Sequence, residues 1–203
     1  MKIICIGRNY IDHAKEMNAP VPESPVFFFK PDTCLVRNNQ PFFYPNFSQD
    51  IHYELELVIK ICRLGRNISE KFAHRYYKEL ALGVDFTARD LQQQCKEKGL
   101  PWEIAKAFDG SAPISNFVTK DSFDDLKNLE FWLEKNGNEV QRGNSSQMIF
   151  HFDSIISYVS KFTTLKIGDL IYTGTPAGVG PVAIGDRLKG YLNGSLMLDF
   201  FVR

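Results

Sequence analysis

The chain has 203 residues, 44% of them hydrophobic and 13% aromatic, with 24 basic side chains against 24 acidic ones. A formal charge of zero, with 14 basic and 12 acidic residues up to Leu100 and 10 and 12 beyond it, argues against a polyanion-binding or anionic-membrane surface. Four scattered cysteines (Cys5, Cys34, Cys62, Cys95) without a C-x-x-C pair read as free thiols in a reducing compartment, and no apolar run approaches the roughly 18 residues that span a bilayer. The expectation is one cytoplasmic domain over residues 1–203, with neither nucleic acid nor membrane as partner.

In chain order, the first element is a short helix from about Tyr10 to Met17. On it His13 and Glu16 stand at i and i+3 and therefore share a face. A carboxylate that orients an imidazole makes a pair suited to activating water, and the same spacing also describes an exposed surface pair. Tyr53 to Ile61 follows as a strand by its period of two, with Leu55, Leu57, Ile59 and Ile61 on one face and Glu54, Glu56, Val58 and Lys60 on the other. Glu54 and Glu56 then project together with Cα atoms about 6.5 Å apart, close enough to share a cation. A solvent-facing strand carries the same pattern.

A second helix is expected over Ser69 to Leu80 and a third over Ala88 to Lys98. Thr87 followed by Asp90 has the spacing of a capping box at the start of the third. Asp85 stands just before it, where a strand runs into a helix, and could add a third oxygen ligand or merely cap. Three carboxylates would favour a hard cation, Mg²⁺ or Mn²⁺, over Zn²⁺. Lys106 lies in an apolar context where its charge asks for a carboxylate or an anionic ligand, unless it snorkels to water.

Asn136-Gly137 and Asn193-Gly194 have the residue types of tight hairpin turns, and a fourth helix is expected over Phe152 to Phe162. Ile167-Gly168-Asp169 and Ile184-Gly185-Asp186 read as turns entering strands. Thr173 to Pro181 is a Gly/Pro-rich loop whose amides could meet an anion, but it lacks the endings of phosphate-binding and dinucleotide-binding loops. The sum is an α+β fold, mainly β.

Several of these stretches, in this order, resemble the fumarylacetoacetate hydrolase family, in its short, single-domain acylpyruvase and oxaloacetate decarboxylase group. The resemblance is carried by "GRNYIDHAKEM" at 7–17, "PVFFFKP" at 25–31, "YELELVIKI" at 53–61, "GVDFTARDLQ" at 83–92, "KGLPWEIAKAFDGSAPIS" at 98–115, "RGNSSQMIF" at 142–150 and "DLIYTGTPAGVGPV" at 169–182. It implies a rolled, mixed β-sandwich with a few short helices, usually homodimeric, and a metal set of Glu54, Glu56 and Asp85. The implied cation is Mg²⁺ or Mn²⁺, with Ca²⁺ a further occupant in crystals. By the same resemblance His13, Glu16 and Lys106 are catalytic, and Arg8, Arg89, Gln92 and Thr175 lie near a bound 2-oxo acid. The implied activity is metal-dependent C–C cleavage of 2,4-dioxo acids (acylpyruvates) to pyruvate and a carboxylate, together with oxaloacetate decarboxylation. Isomerisation, decarboxylation or hydration of unsaturated oxo-diacids from aromatic breakdown, and a non-catalytic oxo-acid or metal-binding module, are the alternatives. Ala112-Pro113 departs from the Cys-Pro or Gly-Pro of many relatives, which bears on substrate preference.

Overall fold

The computed structural model describes residues 1–203. Strands Ile3–Gly7, Val26–Lys30, Leu55–Ile61, Tyr77–Val84, Val118–Thr119 and Leu170–Tyr172 form one mixed sheet. Only Ile3–Gly7 and Leu170–Tyr172 run parallel; the other neighbours are antiparallel. A second, antiparallel sheet is built from Asn138–Asn144, Glu130–Lys135, Arg187–Leu192 and Ser195–Phe201. Both expected hairpins are present in it, and Asn136, Gly137, Asn193 and Gly194 all have positive φ, as a type I′ turn requires.

The two sheets enclose a single large core, in which Leu55, Leu57 and Ile59 of the first meet Phe131, Leu133 and Leu198 of the second. A smaller core on the opposite face of the first sheet holds Ile3, Cys5, Val58, Ala81 and Tyr172. The strand that carries Glu54 and Glu56 is thus covered on both sides, and neither glutamate is on the surface. The architecture is α+β and mostly strand, with few helices, as expected. All four cysteines are free, and no helix is long and apolar enough to cross a membrane.

Helices Ile11–Glu16, Arg89–Lys98 and Phe152–Phe162 lie where the sequence places them. The helix expected over Ser69 to Leu80 is corrected: it ends at Ala73, and Tyr77–Val84 is a central strand paired along Leu55–Ile61. Leu80, Ala81 and Leu82 are fully buried there, so packing on both faces overrides local propensity. The Thr87–Asp90 capping box does not form, because Thr87 lies in the short strand Thr87–Ala88 and Ala88 takes the cap position, while the Thr87 hydroxyl donates to the Asp85 carbonyl. Asp90 instead accepts from Ser48 Oγ at 2.7 Å and from the Gln49 amide at 3.0 Å, fastening the preceding loop. The capping box that does form joins Asn144 and Gln147. The two Ile-Gly-Asp turns enter strands Leu170–Tyr172 and Arg187–Leu192.

Candidate active site

Strand register assembles the acidic cluster. Leu55 pairs with Val84 and Glu56 with Gly83, so Asp85, one residue past its strand, falls opposite Glu54. The Asp85 amide donates to the Glu54 carbonyl at 2.8 Å. Side-chain oxygens of Glu54, Glu56 and Asp85 all lie within 4.8 Å of one another, on residues no more than 5% exposed.

Three cations surround this cluster. Lys106, on the short helix Glu103–Lys106, donates to Glu54 Oε2 and to Asp85 Oδ2, each at 2.8 Å. Arg89 donates to Glu54 Oε1 at 2.7 Å and to Gln92 Oε1 at 2.7 Å. Lys30 Nζ lies 2.6 Å from Asp85 Oδ1. Its donated bonds go elsewhere, to the Phe86 carbonyl and to the Ser111 carbonyl and hydroxyl. That contact is a close, fully buried ion pair.

The compensation is uneven. Burial by itself would raise the Glu54 carboxyl, but Lys106 and Arg89 outweigh it and hold the group well below the usual carboxylate range. Burial, and then the charges of Asp85 and Glu54, push Glu56 well above that range, against the lowering effects of a hydrogen bond from the Gly174 amide and of the Lys106 charge. Lys106 is raised: burial opposes its charge, and the Asp85 and Glu54 carboxylates win. Three converging carboxylates, with Glu56 underserved in compensating charge, are a hard-oxygen set that fits a divalent cation.

The glycine-rich loop does meet anions at close range, and they belong to the protein. The Gly174 amide donates to Glu56 Oε2 at 2.7 Å, and the Gly178 amide to Glu16 Oε1 at 3.0 Å. Glu16 Oε2 in turn stands 3.1 Å from His13 Nδ1. His13 is buried in a cleft of ≈ 330 Å³ that it shares with Arg8, Glu54, Glu56, Asp85, Arg89, Gln92, Lys106 and Thr175. Every metal and substrate position named from the sequence therefore lines one cleft, with Glu16 behind His13.

The roles open to these side chains differ. The Thr175 hydroxyl gives its hydrogen to the Leu55 carbonyl at 2.8 Å and accepts from Gln141 Nε2 at 2.7 Å, so it braces the glutamate strand. Arg8 has a positive φ of 58°, a buried Nε without an acceptor, and no ion-pair partner. The Gln92 amide nitrogen makes no hydrogen bond in the protein, its oxygen being held by Arg89.

Sequence reasoning missed Lys30 and Gln141. Lys30 ends the apolar run Val26–Phe29 and is 1% exposed; a lysine closing such a run just before a proline was the available signal. Gln141 accepts from the Leu55 amide at 2.9 Å and so pins the strand beside Glu54. An interior glutamine in a hairpin strand gives no such signal.

Mixed-sheet architecture and the convergent acidic cleft define a class that comparison makes specific. Residues 2–197 match the family described as Fumarylacetoacetate (FAA) hydrolase C-terminal, and the chain belongs to that enzyme family. It is 46% identical over 200 residues to the mitochondrial oxaloacetate tautomerase of Bos taurus, covering 98% of this chain and 90% of the relative. It is 45% identical over 206 residues to the mitochondrial oxaloacetate decarboxylase of Dictyostelium discoideum, covering 100% and 94%. Among solved structures, the fumarylpyruvate hydrolase of Pseudomonas aeruginosa in complex with Mn²⁺ and pyruvate superposes with a TM-score of 0.94 at 38% identity, covering 100% of this chain and 89% of that one.

Proposed function

We propose that this protein is a divalent-metal-dependent enzyme of short 2-oxo acids. Its first activity is interconversion of the enol and keto forms of oxaloacetate, with decarboxylation of the same substrate. The carrying observation is the arrangement of the His13–Glu16 pair and the Glu54, Glu56, Asp85 cluster in one cleft. The names of the bovine and Dictyostelium relatives support the substrate.

In this reading Glu54, Glu56 and Asp85 would hold the cation, which would supply Lewis acidity to a bound 2-oxo acid. Glu16 fixes the His13 ring through Nδ1, which leaves Nε2 as the basic atom toward the cleft. From the keto acid, Nε2 takes a proton off C3. The C–H electron pair becomes the C2–C3 double bond, and the proton is returned to the C2 oxygen to give the enol. Lys106, raised and doubly ion-paired, keeps its proton and serves as a fixed positive charge, not as a base. Arg8 and the free amide of Gln92 are available to the substrate carboxylate. In decarboxylation the electron pair comes from the breaking C3–C4 bond, and no base is needed to release CO₂.

A second reaction follows from the same pair. His13 Nε2 can deprotonate a water that attacks the distal carbonyl of a 2,4-dioxo acid, so that C–C cleavage gives a carboxylic acid and pyruvate. The named activity of the Pseudomonas relative supports this acylpyruvate hydrolysis. A panel of oxaloacetate, acetylpyruvate and fumarylacetoacetate under Mg²⁺ ranks the activities; turnover of fumarylacetoacetate alone would contradict the proposal.

A further inference from the structure

Helix Arg89–Lys98 presents Arg89, Gln92 and Lys96 to the same cleft. Their spacing of i, i+3 and i+7 places all three on one helical face, with Lys96 about 6 Å of helix rise beyond Gln92. Arg89 is engaged by Glu54 and Gln92 at the inner end. The Lys96 ammonium makes no ion pair and no hydrogen bond, and the nearby Glu97 takes its side-chain bond from Gln93. The ammonium of Lys96 lies 5.9 Å from the centre of the Trp102 ring, a second wall of the cleft.

The charge balance of the cleft says what this lysine lacks. Its lining carries three carboxylates, Glu54, Glu56 and Asp85, and four cations, Arg8, Arg89, Lys96 and Lys106. Arg89 and Lys106 are spent on the carboxylates. Arg8 and Lys96 alone have no anionic partner. Lys96 is an exposed residue, and the partial burial of its ammonium together with the Arg89 charge lowers it from the usual lysine value. Two unpaired cations in one small cleft match a ligand with two carboxylates.

We propose that Lys96 is a specificity-determining residue that receives the second carboxylate of a dianionic 2-oxo acid, so that the cleft selects 2-oxo diacids over 2-oxo monoacids. The proposal rests on the reading of the cleft as a 2-oxo acid site. A solvated lysine in the last turn of a helix is the competing description, and it predicts no selectivity.

Equilibrium binding to the Mg²⁺-loaded protein separates the two, with 2-oxoglutarate and 2-oxopentanoate as non-reacting probes of differing charge. Wild type should favour the diacid. Lys96→Met should lower the ratio of the two affinities about tenfold, the scale of one hydrogen bond to a charged group, and Lys96→Arg should keep most of it. The same loss should appear in kcat/KM for oxaloacetate relative to acetylpyruvate. An unchanged ratio in Lys96→Met, or a wild type that prefers the monoacid, overturns the proposal. Selective binding without turnover of any 2-oxo acid would instead contradict the enzymatic reading and leave the role of Lys96 standing. Binding of neither probe would overturn both.

Discussion

The Gly174 amide donates to Glu56 Oε2 at 2.7 Å, and no other residue type fits where that amide sits. Gly174 has φ +97°, and a Cβ there would lie 2.6 Å from Asn9 Cβ. Gly174→Ala should therefore destabilise the protein by about 1–3 kcal/mol through backbone strain and weaken Mg²⁺ binding by displacing the amide. Denaturant melts and a metal titration on the same variant check both; loss of stability with unaltered Mg²⁺ affinity would assign the glycine to folding alone.

Glu56 sets the pH dependence of the metal-free protein. Its folded carboxyl is raised above the ordinary value of about 4.3, so the folded state binds this proton more tightly than the unfolded state does. The stability it contributes is fully present below the unfolded value and lost as pH rises through the raised one. Glu54 has the opposite sign, its contribution being lost only in acid, and the Lys106 contribution fades only in strong base. As pH rises above the unfolded value of about 4.3, the metal-free Tm should fall through Glu56 while the increase on adding Mg²⁺ grows. Glu56→Gln should raise the metal-free Tm, by about 2–4 °C per kcal/mol gained for a chain of this length, and abolish the response to Mg²⁺.

Lys106 bridges two carboxylates, and removing it leaves buried like charges facing each other. Lys106→Met should cost about 3–5 kcal/mol in the metal-free protein, with part restored by Mg²⁺. Chemical denaturation with and without the ion measures both quantities. A cost below about 1 kcal/mol would mean that water replaces the ammonium.

Proton transfer and C–C bond breaking place different demands on His13. His13→Ala and Glu16→Gln should lower oxaloacetate tautomerisation and acetylpyruvate hydrolysis by about 10²-fold or more, the usual yield of a positioned base. Decarboxylation should lose less, because CO₂ leaves without prior deprotonation. Glu54→Gln should depress all three. Equal losses of the three activities in His13→Ala would remove the base from the account.

Much of the cleft is legible in the sequence because its parts are periodic or short-range. The alternation from Tyr53 to Ile61 puts Glu54 and Glu56 on one face, and the spacing of His13 and Glu16 is one turn of helix. Asp85 joins them only through the register Leu55–Val84, a long-range pairing that spacing cannot specify. Lys30 escaped notice because its burial depends on acceptors at Phe86 and Ser111, far along the chain. The helix expected through Leu80 failed for a related reason: a strand buried on both faces loses the polar–apolar alternation that would identify it. The capping box between Thr87 and Asp90 matched a local pattern, but Ser48 and Gln49 compete for the same carboxylate.

The most direct measurement follows the ultraviolet absorbance of freshly dissolved enol-oxaloacetate with catalytic amounts of protein, in Mg²⁺ and after EDTA. The absorbance should decay faster than in buffer alone, EDTA should return it to the buffer rate, and restored Mg²⁺ should recover the acceleration in wild type but not in Glu54→Gln. Decay at the buffer rate with Mg²⁺ present, or acceleration indifferent to EDTA, would contradict the proposed activity.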